Sequence, residues 1–137
     1  MLERLMRHTA LGASGLVWVA VATMAAQTPS RTVNDGVYSA SQASRGQALF
    51  QSLCTTCHDT ARFTGPEFVS AFSGKPLVEL FTAVQTMPED NPGSLSAQQY
   101  GDVIAFFLSL NKFPTGSEEL KGDAEELGKI EMQAPKP

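Results

Sequence analysis

The stretch "LCTTCHDT", Leu53 to Thr60, holds the only two cysteines of a 137-residue chain, three positions apart, with a histidine directly behind the second. Each chemistry that uses Cys54, Cys57 and His58 makes a further demand on the chain. A structural zinc site wants four ligands, mostly Cys and His. Once an export segment carrying His8 is set aside, these three are all the Cys and His the chain offers. A thioredoxin-like pair belongs at a strand-to-helix turn in a βαβ unit, and no convincing buried strand run is present. A plain disulfide leaves His58 without a role. Covalent haem attachment uses all three residues: the thiols add across the two vinyl groups on one edge of the porphyrin, and the next imidazole is placed under the iron.

The export segment is "MLERLMRHTALGASGLVWVAVATMAAQTPS": Arg4 and Arg7, then no formal charge from Thr9 to Ser30, with small residues near its end. This is the layout of a secretory signal peptide, residues 1–26, cleaved between Ala22 and Ala26. An uncleaved membrane anchor is the alternative, since the apolar stretch approaches spanning length. There is no Arg-Arg pair and no cysteine near the cleavage sites, so the route reads as Sec-type export to the periplasm or another extracytoplasmic space. Removing 1–26 takes away Arg4, Arg7 and Glu3 and leaves eight basic against thirteen acidic residues, a formal charge of −5. An acidic protein of this kind argues against nucleic acid as a partner.

A haem iron that carries electrons usually has a second axial ligand, and a thioether raises its potential. The mature chain holds only Met87 and Met132. Met87, in "AVQTMPEDNPGSLS", follows an apolar helical run and precedes Pro88 and Pro92, which stiffen the loop; a gap-filling core methionine is the competing reading. Met132 lies in the polar tail "KIEMQAPKP" with no comparable support.

The rest reads as helices and loops. "SASQ" offers a capping box of Ser39 and Gln42, opening a helix through about Leu53. "FTGPEFVSAF" puts Pro66 at a first helical position with Phe68 and Phe72 inward. "PLVELFTAV" has Leu77, Leu80, Phe81 and Val84 at helical spacing. "SLSAQQYGDVIAFFLSLNKFP" has a second box, Ser96 with Gln99, and a run apolar on more than one side, so this helix should be largely buried. Gly46 sits mid-helix, where it costs about 1 kcal/mol relative to Ala unless close approach of a crossing helix uses the missing side chain.

On these residues the chain resembles a class I monohaem cytochrome c. "GQALFQSLCTTCH" resembles the family's N-terminal helix, "YGDVIAFFLSLN" its C-terminal helix and "TMPEDNPGSLS" its axial-methionine loop. More narrowly, "TVNDGVYSASQASRGQALF" and "NPGSLSAQQYGDVIAFFLSLNKFP" resemble exported bacterial cytochromes associated with quinoprotein or sulfur-compound dehydrogenases. The resemblance implies an all-α fold of three to five helices around one covalent haem c, held by Cys54 and Cys57, with His58 and Met87 as axial ligands. It implies that Gly46 and Phe50 meet Phe106 at the helix crossing, with Phe72 and Leu80 also packing the cofactor. Leu77, Phe81, Phe68, Ile104 and Leu108 complete the apolar wrap. The implied activity is outer-sphere electron transfer through the haem edge near the motif, from a dehydrogenase as donor to a terminal oxidase or other cytochrome as acceptor. It is not an enzyme on this reading; a haem enzyme or gas-binding protein with an open iron, peroxidase-like, is the alternative. One departure is that relatives often carry a Trp where Phe72 stands, and Phe72 cannot donate to a haem propionate.

The expected organisation is therefore a linker over 27–38, a haem domain over 39–113 and a tail over 114–137. "NDG" should turn, and Val37 and Tyr38 are placed to pack back on the domain. In the tail, Asp123 and Glu126 form a weak box, with Leu120, Leu127 and Ile130 as modest anchors of a short surface helix. Glu118, Glu119, Asp123, Glu125 and Glu126 read as a solvated charge run rather than an acidic docking patch.

Overall fold

In a computed structural model of the chain the structure describes residues 31–137; the signal segment, 1–26, lies outside the described residues. The elements run β1 (Arg31–Thr32), a 3-10 turn (Val33–Asp35), α1 (Ala40–Leu53), a 3-10 turn (Thr60–Phe63), α2 (Pro66–Phe72), α3 (Val78–Gln85), α4 (Ala97–Leu110), α5 (Ala124–Gly128) and β2 (Ile130–Glu131). The fold is all-α, as the resemblance implies, with one two-residue parallel pair joining Arg31 to Ile130 and Thr32 to Glu131.

Local sequence explains where the helices begin. Ser96 accepts from the Gln99 amide at 3.2 Å while the Gln99 side chain accepts from the Ser96 amide at 2.9 Å, a complete capping box. Pro66 opens α2, where its missing N–H costs nothing. Ser39 caps α1 by accepting from the Gln42 amide, but the expected box is only half made. The Gln42 side chain is instead fully buried and bonds both backbone groups of Leu120, donating to the carbonyl and accepting from the amide, each at 2.7 Å. Tertiary structure outbids the local cap because two buried peptide groups of the tail have to be satisfied. Gln42→Ala should therefore destabilise the protein by about 2 to 4 kcal/mol, the cost of stranding those two groups. Denaturant unfolding beside the exposed Ser44→Ala checks this, and equal midpoints would refute it.

The centre of the molecule is the crossing of α1 and α4, the most extensive helix contact. Gly46 makes it close: a β-carbon there would lie 1.8 Å from the Asp102 carbonyl oxygen and 2.9 Å from Phe106 Cβ. Beside the crossing, Arg45 grips the buried Asp102 with two bonds of 3.0 Å and reaches Glu119 at 2.9 Å.

Both flanks fold onto this body. Val33, Val37 and Tyr38, within the expected linker, are buried, and the Tyr38 hydroxyl donates to the Phe113 carbonyl at 2.7 Å. In the tail the expected short helix forms as α5, with Leu120, Leu127 and Ile130 as its anchors, and Met132 is buried beside them, all at most 6 % exposed. The backbone that follows α5 is pinned to the α2–α3 connection by bonds from Leu77 to Ile130, from Met132 to Lys75 and from Gly74 to Met132. The acidic run stays exposed, as expected, and its carboxylates pair or cap within the chain. Glu118 pairs with Arg31, Glu119 with Arg45, Glu125 and Glu126 with Lys129, and Asp123 caps α5.

Candidate haem-binding cleft

The motif is a continuation of α1. The Cys54 amide bonds to the Phe50 carbonyl at 2.8 Å, and the amides of Cys57 and His58 return to the Cys54 carbonyl at 3.2 and 2.9 Å. One tight turn thus presents two thiols and an imidazole together. Cys54 is half-buried, Cys57 exposed, and both are free thiols. Burial pushes the Cys54 thiol above its ordinary value, away from the thiolate that disulfide exchange requires.

After the motif, Asp59 caps the second 3-10 turn, accepting from the Ala61 amide at 2.8 Å. That turn delivers Phe63, which lies edge-on to His58 at 5.6 Å and stacks flat on Phe107 of α4 at 4.3 Å. Asn111, buried at the end of α4, donates to the carbonyls of Phe63 and Phe107, each at 2.8 Å, and accepts from the Gly65 amide at 2.9 Å. One amide side chain therefore ties the loop behind the histidine to the C-terminal helix.

Met87 is held from the other side. Its amide bonds to the Val84 carbonyl at 3.0 Å, and its own carbonyl accepts from the Tyr100 hydroxyl at 3.1 Å. The proline-bearing loop then closes through Asn91 onto Pro88 and Gly93 onto Gln85, each at 3.0 Å.

Between these two walls runs a cleft with two adjoining lobes of about 410 and 570 Å³. Cys54, His58, Val84, Met87 and Val103 line both. The inner lobe is completed mainly by aromatic and aliphatic side chains, among them Phe50, Phe63, Phe68, Phe72, Leu80 and Phe107, with Arg62. The outer lobe adds Leu53, Thr56, Cys57, Pro88, Glu89, Asp90 and Leu95.

The expected site residues divide accordingly. Cys54, Cys57, His58, Met87, Phe50, Phe72, Leu80 and Phe68 border the cleft. Gly46 and Phe106 do not; they form the helix crossing, with Phe106 at 5.5 Å from Phe50. Leu77, Phe81, Ile104 and Leu108 are buried core behind the lining. The cleft face of α4 belongs to Val103 and Phe107, which the expected wrap omitted. Their i,i+4 spacing carried the signal, since Asp102 and Phe106, one residue back, share the crossing face. Phe63 and Arg62 lie in a loop with no periodicity to announce them.

Residues 41–107 match the family model described as cytochrome c oxidase, cbb3-type, subunit III. That model describes a c-type cytochrome domain, to which this stretch is similar. Such a domain binds covalently attached haem c and supports haem-based electron transfer with redox protein partners. No curated protein and no solved structure matches the chain.

The residues of the cleft fit that cofactor. The inner lobe is almost wholly apolar, as a porphyrin face requires, and it opens beside two free thiols. His58 Nδ1 is the one buried side-chain polar atom without a partner among the described residues. The imidazole is thus a polar group in an apolar cleft that the protein's own hydrogen bonds leave unsatisfied, as suits a ring meant to bind a metal.

Proposed function

We propose that the chain is an exported monohaem electron carrier in which Cys54 and Cys57 form the haem thioethers and His58 and Met87 are the axial ligands. The supporting observation is that His58 and Met87 line both lobes of one cleft, while Met132 is fully buried elsewhere. The haem supplies an iron that exchanges one electron between its ferric and ferrous forms. The chain's residues do the rest. Val84, the Tyr100 hydroxyl and the folded loop hold the Met87 backbone, so its thioether keeps one place in both oxidation states. Phe63, Phe107, Leu80 and Val103 limit water around the ligands and stiffen the walls, which keeps reorganisation small.

Electrons would enter and leave on the side of the exposed Cys57, next to Leu53, the one large hydrophobic side chain left exposed among the described residues, at 48 %. The donor is of the dehydrogenase class and the acceptor a terminal oxidase or second cytochrome. Residues 1–26 act as the signal that puts the protein in the periplasm or an equivalent space. Among the described residues no helix is long and apolar enough to cross a membrane.

Visible spectra of the purified exported protein, with and without carbon monoxide, test the ligand set. A low-spin ferrous spectrum unmoved by carbon monoxide, with the weak long-wavelength sulfur-to-iron band in the ferric form, is the expected result. Ready carbon monoxide binding would replace this reading with an open iron suited to peroxide or gas chemistry.

The outer lobe carries Glu89 and Asp90, Asp59 lies beside Cys57, and among the described residues no Lys or Arg lines either surface. A cationic oxidant such as tris(phenanthroline)cobalt(III) should therefore react faster at low salt and slow as salt rises, whereas ferricyanide should do the reverse. Glu89→Lys with Asp90→Lys should invert both slopes and change the low-salt rates about tenfold. Stopped-flow rates against ionic strength decide it; slopes that ignore the double variant would place electron exchange elsewhere on the surface.

A further inference from the structure

Haem brings two carboxylates into a cleft that is otherwise apolar, and a carboxylate taken out of water needs a charged or hydrogen-bonded partner. The donors nearest the inner lobe are nearly all committed. The Tyr100 hydroxyl donates to Met87 and the Asn111 amide to Phe63 and Phe107. The hydroxyls of Thr64, Ser70 and Ser73 return to their own backbones. Phe72 has nothing to donate.

Arg62 is the exception. It is, among the described residues, the only charged side chain lining the inner lobe. Among the described residues Arg31 and Arg45 are each paired with carboxylates, whereas Arg62 makes no ion pair and its guanidinium donates no hydrogen bond. Its backbone is fixed: its amide bonds to the Asp59 carbonyl at 3.1 Å, and the next residue is the stacked Phe63. The long stem can lie along apolar surface while the head reaches the lip of the lobe.

We propose that Arg62 is the positioning residue for a haem propionate, holding the carboxylate at the inner lobe. This rests on the haem reading above. The cleft is polarised to suit it, with a lone cation in the inner lobe and only acids at the outer one. An Arg fork matches a carboxylate with two parallel hydrogen bonds, which sets orientation as well as charge.

The test is a potentiometric titration of the holoprotein from acid to neutral pH, comparing Arg62→Gln and Arg62→Met with the unmodified protein and with Arg31→Gln, which removes the same unit of charge far from the cleft. Apart from the thioether cysteines and the ligand His58, the titratable groups bordering the cleft are Glu89 and Asp90, with Asp59 beside Cys57, and none of the variants touches them. Losing Arg62 should lower the potential at neutral pH, because a positive charge near the iron favours the ferrous form. It should also move the redox-linked proton step upward by about 1 to 3 pH units, because the carboxylate has lost its cation. Arg62→Lys should fall between. A step left at its original pH in either Arg62 variant that matures, or an equal displacement in Arg31→Gln, would overturn the assignment. The carbon monoxide spectrum of the unmodified protein reports on the axial ligands separately, so failure of the haem ligation reading and failure of the Arg62 assignment are told apart.

Discussion

Gly46→Ala should cost the protein about 3 kcal/mol or more, despite replacing a poor helix former with the best one. In an exposed helix the change would gain about 1 kcal/mol. Here the new methyl would lie 1.8 Å from the Asp102 carbonyl oxygen, so α1 and α4 have to separate. A flexible side chain could move aside, but a helix carbonyl cannot without breaking its own bond. Separation would also loosen the tilted contact of Phe50 with Phe106 and lengthen the Arg45–Asp102 bonds. Denaturant unfolding of the holoprotein, with the exposed Gln47→Ala on the same helix as reference, measures the loss. A Gly46→Ala midpoint equal to the reference would mean that the two helices do not meet at this point.

The second large effect separates the two methionines. Met87→Ala should abolish the sulfur-to-iron band and let carbon monoxide bind the ferrous iron, since Met87 borders the cleft rather than the core. Met132→Ala should do the opposite: spectra unchanged and stability lower by about 2 to 5 kcal/mol, the usual loss for emptying a fully buried methionine site. Spectra and unfolding curves on both variants form a crossed test. If Met132→Ala altered the spectrum and Met87→Ala did not, the assignment of the sixth ligand would be reversed.

The motif, the two flanking helices and the stiffened methionine loop are all legible in the chain because each is a local signal. Cys54-x-x-Cys57-His58 needs one turn of backbone, the Ser96–Gln99 box one turn of helix, and Pro88 with Pro92 act on their own dihedrals. The misread features are those in which a local preference competes with a distant partner. Gln42 has the right spacing to close a box on Ser39, yet its side chain satisfies the peptide of Leu120, far along the chain. Met132 stands in a tail of polar composition, yet its side chain is fully buried.

The cleft lining shows the same division at finer scale. Helical period alone puts Val103 with Phe107 and Asp102 with Phe106 on two neighbouring faces of α4, but it does not say which face meets α1 and which meets the cofactor. Contact between Gly46 and the Asp102 face decides that, because only there can two backbones approach so closely. The sequence by itself determined the chemistry: two thiols and an imidazole in one turn, and a thioether on a stiff loop, are covalent and short-range facts. Only the tertiary structure decided which aromatic faces the cleft, that Arg62 stands at its inner lobe, and that both flanks belong to the core, because those depend on burial and on hydrogen bonds between groups that the chain keeps far apart.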